Sequence, residues 1–313
     1  MSEAIILIPS FNNATTIVAT LESIQSQSID LSSFISAVYL ADDGSTDNTV
    51  SLAEIAWNNT VPLRVLSSSQ NVGERGNINR AIGLIEESSD WILIIHSDDL
   101  AKPNWLEIMM TYMVSCDAMI GSICSSWDNL LSNGTIIPGE DNLSRNVEVI
   151  VGTQHATIDT LLRGCWWHIS GCAIRRKAID AIGGFDVNLP QLGDWEWLLR
   201  CLYQGWSVAY IPRTLILYRQ HQASVSSKSF QIDRDVRESL MIIRKYSTLL
   251  SQRQLFLLHV RRIYYVLRRI LRALMQHRSV HRVIMASQTI ILIVRNFIIC
   301  WSIARKSHKA SKC

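Results

Sequence analysis

The sequence predicts an α/β protein in which helices cover both faces of a mostly parallel sheet. Within about the first hundred residues, four apolar runs begin at Ala4, Ala37, Leu63 and Trp91. Nearly continuous apolar runs are typical of strands that are buried on both faces. The stretches between them place apolar residues at helical spacing, as in Ile17, Leu21 and Ile24; Val50, Leu52 and Ile55; and Ile78, Ile82 and Ile85.

The rest of the chain predicts two further regions. From about residue 118 to residue 227 strands and helices are mixed, and beyond Asp233 the pattern is helical only. We therefore predict a nucleotide-binding and catalytic domain over 1–230 and a helical region over 231–313.

The charge is divided along the chain. Glu238 is the last of 27 acidic residues, whereas 15 of the 30 lysines and arginines follow it. This asymmetry predicts an acidic globular part joined to a cationic segment that meets an anionic partner. The seven cysteines show no metal-like spacing, and the first residues show no signal peptide, so we expect a cytoplasmic protein.

Polar clusters follow each of the four predicted strands. In parallel sheets, ligands bind outside the carboxyl ends of the strands. One cluster, "DDGSTDNT", begins with Asp42 and Asp43, and a strand-end carboxylate can accept hydrogen bonds from a base or a ribose. Its Ser45, Thr46 and Asp47 also suit the cap of a following helix.

The cluster "HSDD" places His96, Asp98 and Asp99 directly after a strand. Adjacent carboxylates repel one another unless a cation neutralises them, and their hard oxygen atoms suit Mg²⁺ or Mn²⁺. One alternative for Asp99 is the cap of a helix whose early turn contains Pro103. For His96 the alternative is a strand-end side chain without a ligand.

Seven motifs in order resemble family 2 glycosyltransferases of the GT-A fold, over roughly residues 3–227. They are "IPSFNN", "DDGSTD", "NVGERGNINRAI", "HSDD", "GGFD", "GDWEWLLR" and "YRQHQASVS". The resemblance implies transfer of a sugar from a nucleoside diphosphate sugar to an acceptor hydroxyl, with inversion at the anomeric carbon. It also implies a bacterial polysaccharide, O-antigen or lipopolysaccharide context.

The same resemblance assigns roles to individual residues. Asp194 would be the general base, and Asp98 would bind both the nucleotide diphosphate and a Mg²⁺ or Mn²⁺ ion with His221. His96, which replaces the first aspartate common in the family, and Asp99 are further candidate ligands. The remaining nucleotide contacts would be Pro9, Ser10, Phe11, Asn12, Asp42, Asn71 and Arg75.

The acceptor site is predicted from aromatic and acidic residues. Trp166 or Trp167 would stack on a sugar ring, with core packing as the alternative. Glu196, two residues beyond Asp194, is the second candidate for the base and a predicted contact of the acceptor. For Asp194 itself, the alternative is the cap of the following helix.

The basic segment predicts contact with a membrane. Residues 254–274 combine regularly spaced aliphatic residues with five arginines, as expected of an amphipathic helix at an anionic bilayer. Residues 283–303 are long enough to span a bilayer, but Arg295 would cost about 2.5–3.5 kcal/mol there. We expect a peripheral location at the inner face of the cytoplasmic membrane and a polyprenyl-linked saccharide acceptor; packing as a helical cap is the alternative.

Three hypotheses follow from these patterns. The first is an inverting, metal-dependent glycosyltransferase. The others are a nucleotide-sugar-binding protein that has lost turnover through His96, and a nucleotidyltransferase, for which "IPSFNN" lacks a basic phosphate loop. Nucleic acid is not an expected partner, because aliphatic residues separate the basic residues of the C-terminal segment.

Overall fold

The computed structural model of the protein describes residues 4–85, 89–142, 145–220, 233–275 and 280–310. The chain divides into two compact units. The first comprises 1–157 and 165–221, and the second comprises 158–164 and 222–313. The sequence pattern did not separate the short segment 158–164 from the first domain.

A ten-stranded sheet forms the centre of the first unit, counted over the described residues. Its strands are β1 (Ala4–Ser10), β2 (Ile35–Asp42), β3 (Leu63–Ser67), β4 (Trp91–Ile94), β5 (Leu100–Ala101), β6 (Ile120–Leu131), β7 (Ile136–Ile137), β8 (Glu148–Ile150), β9 (Cys172–Arg175) and β10 (Ser207–Gln220). Their order is β3-β2-β1-β4-β9-β6-β10-β5, with β7 beside β6 and β8 beside β10. The pairs among β1 to β4 are parallel, as is β6 with β10.

Seven α-helices connect these strands in the described part of the chain up to residue 220. They are α1 (Ile17–Gln25), α2 (Thr49–Ala56), α3 (Glu74–Leu84), α4 (Trp105–Ser115), α5 (Gln154–Arg163), α6 (Arg176–Ile182) and α7 (Gly193–Tyr203). A single 3₁₀ turn, Leu31–Ser33, precedes β2.

Both faces of the first strands are buried. Every residue of β1 is buried, which explains its continuous apolar sequence. Alternate residues of the strand, Ile6 and Ile8, pack with Ile17 and Leu21 of α1 and with Trp105 of α4 in one core cluster. The predicted α/β class and GT-A-like architecture are confirmed.

The register of the strands brings their carboxyl ends to one edge. Ser10 at the end of β1 pairs with Asp42 at the end of β2, and Asp42 pairs with Ser67 at the end of β3. The backbone N–H of Ile95, just after β4, donates to the carbonyl of Leu7. The polar clusters that follow these strands therefore lie along the same edge.

The second unit is helical in its described residues. It contains α8 (Arg234–Lys245), a 3₁₀ turn (Ser247–Leu249), α9 (Gln252–Met275) and α10 (Val280–Ala310). Val236, Leu240, Val266, Ala286 and Ile293 form a core cluster that draws on all three helices. Within the described residues, one helix segment, Met285–Lys306, is long and apolar enough to cross a membrane.

Candidate active site

Hydrogen bonds join the loop after β1 to the loop after β2. Asn12 has a left-handed backbone (φ 54°), and its Oδ1 accepts a hydrogen bond from the N–H of Thr46 at 2.8 Å. Its own N–H donates to Ser45 Oγ at 2.9 Å. This pairing holds Phe11, whose side chain is 42% exposed, at the edge of the sheet.

The two carboxylates that end β2 have different partners. Both carboxylate oxygens of Asp42 accept the N–H of Ser45, and the shorter of the two hydrogen bonds, to Oδ2, measures 3.1 Å. Asp43 accepts hydrogen bonds from the N–H groups of Val72 and Gly73 at 2.9 and 2.8 Å, which fixes the start of α3. Burial raises the pKa of Asp43, and these two hydrogen bonds act against the increase. Asp43 thus has a structural role, and only Asp42 remains a candidate for base contact.

Arg80 ties the strand ends together. Its Nη2 donates to the carbonyls of Leu66 at 2.7 Å and Asp42 at 3.2 Å, and to Asn77 Oδ1 at 2.8 Å. The guanidinium group of Arg80 is therefore hydrogen-bonded to backbone carbonyls at the ends of β2 and β3.

The turn after β4 is held by a threonine hydroxyl of α1. Thr20 Oγ1 donates to the carbonyls of Ser97 and Asp99, at 3.0 and 2.8 Å. Asp99 Oδ1 accepts the N–H of Arg219 at 2.9 Å. Asp99 does not cap a helix, because β5 follows it and α4 has Asn104 at its N-cap position.

His96, Asp98 and Asp99 form a group that fits a divalent cation. One potential ligand atom from each residue lies within 4.8 Å of the others. Asp99 is fully buried, and its Oδ2 lies 3.9 Å from His96 Nδ1. Burial and the neighbouring Asp98 carboxylate raise the pKa of Asp99 to about 7. A cation would offset the repulsion between Asp98 and Asp99 and stabilise the ionised form of Asp99.

Glu74, the first residue of α3, faces His96. Its Oε1 lies 3.4 Å from His96 Nε2 and 2.8 Å from Arg75 Nη1. Burial alone would lower the pKa of His96, but Glu74 and the two aspartates raise it to about 9. Burial likewise acts to raise the pKa of Glu74, and Arg75 and His96 lower it below its usual range. The two side chains are thus an ion pair of imidazolium and carboxylate near neutral pH.

Asp194 lies in the first turn of α7. It is not the helix cap, because α7 begins at Gly193 and Leu192 holds the cap position. Its Oδ1 lies 3.8 Å from Arg75 Nη2. Burial raises the pKa of Asp194, and the Arg75 guanidinium acts to lower it. A carboxylate with a raised pKa is a better proton acceptor than an ordinary aspartate.

Alternating charges connect Asp194 to the turn after β4 that carries Asp98 and Asp99, which we call the carboxylate turn. We call Asp194, Arg75, Glu74, His96 and Asp99 the charge chain. Its successive members approach within 3.8, 2.8, 3.4 and 3.9 Å. Arg75 is itself buried and also lies over the ring of Phe185, at 5.6 Å from the ring centre. The structure therefore places Arg75 beside the predicted base, and its predicted contact with the nucleotide stays a prediction.

Two predicted acceptor residues lie in the core instead. Trp167 is buried, donates from Nε1 to Ser122 Oγ at 2.9 Å and stacks on Trp197. Glu196 is fully buried, and its carboxylate accepts Arg200 Nε at 2.9 and 3.0 Å. These contacts correct the prediction for both residues, since neither presents a free surface to a sugar.

Trp166 is half-buried, with its ring 6.2 Å from that of Tyr210. Near the charge chain, the rings of Trp127 and Tyr218 flank His168 at 4.8 and 4.9 Å. Burial lowers the pKa of His168 to about 4, and the charge of His96 acts in the same direction. His168 is therefore a neutral ring between two aromatic rings, which sequence spacing alone did not indicate.

The remaining predicted residues divide by exposure. Asn12 and Asn71 are exposed, whereas Pro9 and Ser10 are buried at the end of β1. His221 lies outside the described residues. Glu74 was missed altogether, because only the tertiary fold brings it to His96.

The match to known families covers more than half of the chain. A family model described as glycosyl transferase family 2 matches residues 5–181. The chain is 22% identical over 223 residues to the uncharacterized glycosyltransferase YibD of Escherichia coli, covering 71% of this chain and 62% of that protein. It is 30% identical over 80 residues to an uncharacterized glycosyltransferase of Haemophilus influenzae, covering 26% and 24% of the two chains. The chain thus spans less than two thirds of either relative.

Solved structures share the fold at low identity. The structure of S. aureus TarS 1-349 in complex with UDP has a TM-score of 0.60 and 15% identity, covering 98% of this chain and 92% of that one. The mannosyltransferase PcManGT from Pyrobaculum calidifontis, in complex with GDP-Man and Mn²⁺, has a TM-score of 0.58 and 14% identity, with coverage of 99% and 86%. A third structure, TarS 1-349 in complex with UDP-GlcNAc, has a TM-score of 0.61 and 17% identity, with coverage of 80% and 66%.

Proposed function

Because this chain belongs to glycosyl transferase family 2, we propose that it is an inverting, metal-dependent glycosyltransferase. It transfers a sugar from a nucleoside diphosphate sugar to a hydroxyl of a saccharide acceptor. The observation that carries this proposal is the charge chain, which connects a half-buried candidate base, Asp194, to the carboxylate turn at the carboxyl edge of the sheet.

The carboxylate turn would hold the metal. Asp98 and Asp99 are the proposed ligands, since the Glu74 ion pair occupies His96. A bound Mg²⁺ or Mn²⁺ ion would neutralise the charge that develops on the diphosphate leaving group. The exposed ring of Phe11 and the carboxylate of Asp42 are the proposed contacts of the nucleoside.

Asp194 would take the proton of the acceptor hydroxyl during attack. An alcohol is a poor nucleophile until a carboxylate accepts its proton, and burial makes this carboxylate a stronger base. A single displacement inverts the anomeric carbon, so no covalent nucleophile is needed. The proposed acceptor is a polyprenyl-linked saccharide of bacterial cell-surface polysaccharide or O-antigen synthesis, which the sequence resemblance supports.

Calorimetric titration with UDP-, GDP- and dTDP-sugars, each with and without Mn²⁺, tests the donor site. We expect one donor to bind, and to bind more tightly with the ion. Asp98→Asn should weaken metal-dependent binding at least about tenfold, since the loss of even outer-shell partners has effects of that size. Asp90→Asn is the matched control, because this exposed aspartate lies at the opposite end of β4. Equal donor affinity in wild type and Asp98→Asn would exclude Asp98 as a ligand.

The pH dependence of kcat/KM tests the pairing of Arg75 with Asp194. Asp194 must be ionised to accept a proton, so activity should fall as the pH decreases through its raised pKa. Arg75→Gln removes the charge that lowers this pKa, so the acidic limb should move to higher pH. Arg75→Lys keeps the charge and should restore much of the wild-type limb. If the acidic limb of the pH profile is the same in wild type and in Arg75→Gln, Arg75 does not influence the pKa of Asp194.

A further inference from the structure

The outer face of α9 is apolar. Six exposed residues on it repeat at intervals of three and four, the spacing of one helix face: Leu257, Val260, Tyr264, Leu267, Leu271 and Met275. Leu271 and Met275 are 61% and 75% exposed, so no described part of the chain covers this row. We call these six residues the outer stripe.

The opposite face of α9 is already used for packing. Val266 belongs to the core cluster of the second unit, and Arg269 pairs with Asp233 and Asp235. His259 Nε2 lies 3.0 Å from Asn296 Oδ1 of α10. The outer stripe is therefore not needed to hold the helices of this unit together.

Basic residues follow one margin of the outer stripe. Arg261, Arg268 and Arg272 are exposed there, each next in sequence to a stripe residue. No acidic residue occurs after Glu238 in the whole sequence, so α9 and α10 contain none. The partner of this face must accept both an apolar row and uncompensated positive charge.

We propose that the outer stripe and its arginine margin dock on an anionic phospholipid surface, with α9 lying in the plane of the interface. An interfacial helix places apolar residues at the acyl boundary and arginines at the headgroups. A second copy of the chain fits less well, since a symmetric contact would bring arginine against arginine. Nucleic acid would bind the arginines but would leave the aliphatic row against phosphates.

The packing of α10 favours a peripheral attachment over a membrane span. Its Thr289 and Asn296 donate to Asp233 Oδ2 and to the carbonyl of Leu240, at 3.2 and 3.3 Å. If α10 crossed a bilayer, α8 and the ion pair of Asp235 with Arg269 would be drawn into hydrocarbon. Buried charges of that kind are costly in a membrane. This inference does not depend on the proposed enzymatic function.

Flotation of the full chain with vesicles tests the proposal. Wild type should float with vesicles that contain phosphatidylglycerol and only weakly with phosphatidylcholine alone. Arg268→Gln/Arg272→Gln should lower the partition coefficient on anionic vesicles about thirtyfold, from about 1 kcal/mol per arginine, with little change on neutral ones. Lys177→Gln, an exposed basic residue of α6, is the control for charge.

Leu267→Gln/Leu271→Gln should lower partitioning at least about tenfold, since two leucines leave the acyl boundary. Ile55→Gln, an exposed apolar residue of α2, is its control. Thermal melting should show that every variant is folded. Equal flotation with both lipids, or none, would overturn the proposal. A dimer that the leucine variant converts to a monomer would assign the face to a second copy, and resistance to alkaline carbonate extraction would indicate a span.

Discussion

Asp194→Asn is expected to lower kcat about 10²–10⁴-fold, the usual contribution of a positioned base. The amide keeps the size of the carboxylate and can still accept the N–H of Trp195, which Oδ1 accepts at 2.7 Å. The variant should therefore fold normally. Donor affinity should be nearly unchanged, because Asp194 lies on α7 and not in the strand-end loops that are proposed to contact the nucleotide. Steady-state kinetics and donor titration on the same preparation provide both measurements.

Asp180→Asn is the matched control for this prediction. Asp180 is an exposed aspartate of α6, paired with Arg176 at 3.6 Å. Its replacement should leave kcat and donor affinity as they are in wild type. If Asp194→Asn weakens donor binding while turnover survives, Asp194 is not the base and its raised pKa has another role.

Glu196→Gln is expected to destabilise the fold and to leave the kinetic constants of the folded enzyme almost unchanged. The substitution leaves Arg200 without its carboxylate partner in a largely buried site. Breaking a buried ion pair costs about 3–5 kcal/mol of the free energy of unfolding. Arg200 keeps 17% exposure and still donates to the carbonyls of Ile182 and Gly184, so we expect the lower end of that range. Chemical denaturation followed by fluorescence measures the loss.

Glu54→Gln provides the comparison, because Glu54 is exposed on α2 and its change should alter stability by less than about 0.5 kcal/mol. The two roles considered for Glu196 give opposite patterns. An acceptor contact would raise the KM for acceptor and spare stability. That pattern would restore the original prediction for Glu196.

The fold was predictable where the chain is uniformly apolar. The runs at Ala4 and Trp91 become strands that start at those residues, because burial on both faces excludes polar side chains. The run at Leu63 also starts a strand at that residue, although β3 is only partly buried. The run predicted at Ala37 starts two residues earlier, at Ile35. Outside the apolar runs the sequence pattern is less informative, because β10 continues to Gln220 through polar residues that pair with β6.

The site was predictable only in part, for a physical reason. Asp42, Asp98 and Asp99 follow apolar strands, so their position at the edge of the sheet follows from strand polarity. Arg200 lies four residues after Glu196 on the same helix, a pairing that sequence spacing can predict, whereas only tertiary packing brings Arg75 to Asp194. Glu74 and His96 are likewise distant in sequence, and no periodicity connects them.

The charge chain makes positions 74 and 96 mutually dependent during evolution. An aspartate at position 96, as the resemblance would suggest, would place a carboxylate where the imidazolium now faces Glu74. Two carboxylates at that separation repel one another, and Arg75 would be left to balance three acids, Glu74, Asp194 and the new one. Exchange of His96 for aspartate would therefore remove the ion pair with Glu74 and add a negative charge beside it, unless Glu74 also changed. In this protein His96 is paired with Glu74, the first residue of α3, so the effect of a substitution at position 96 depends on the residue at position 74.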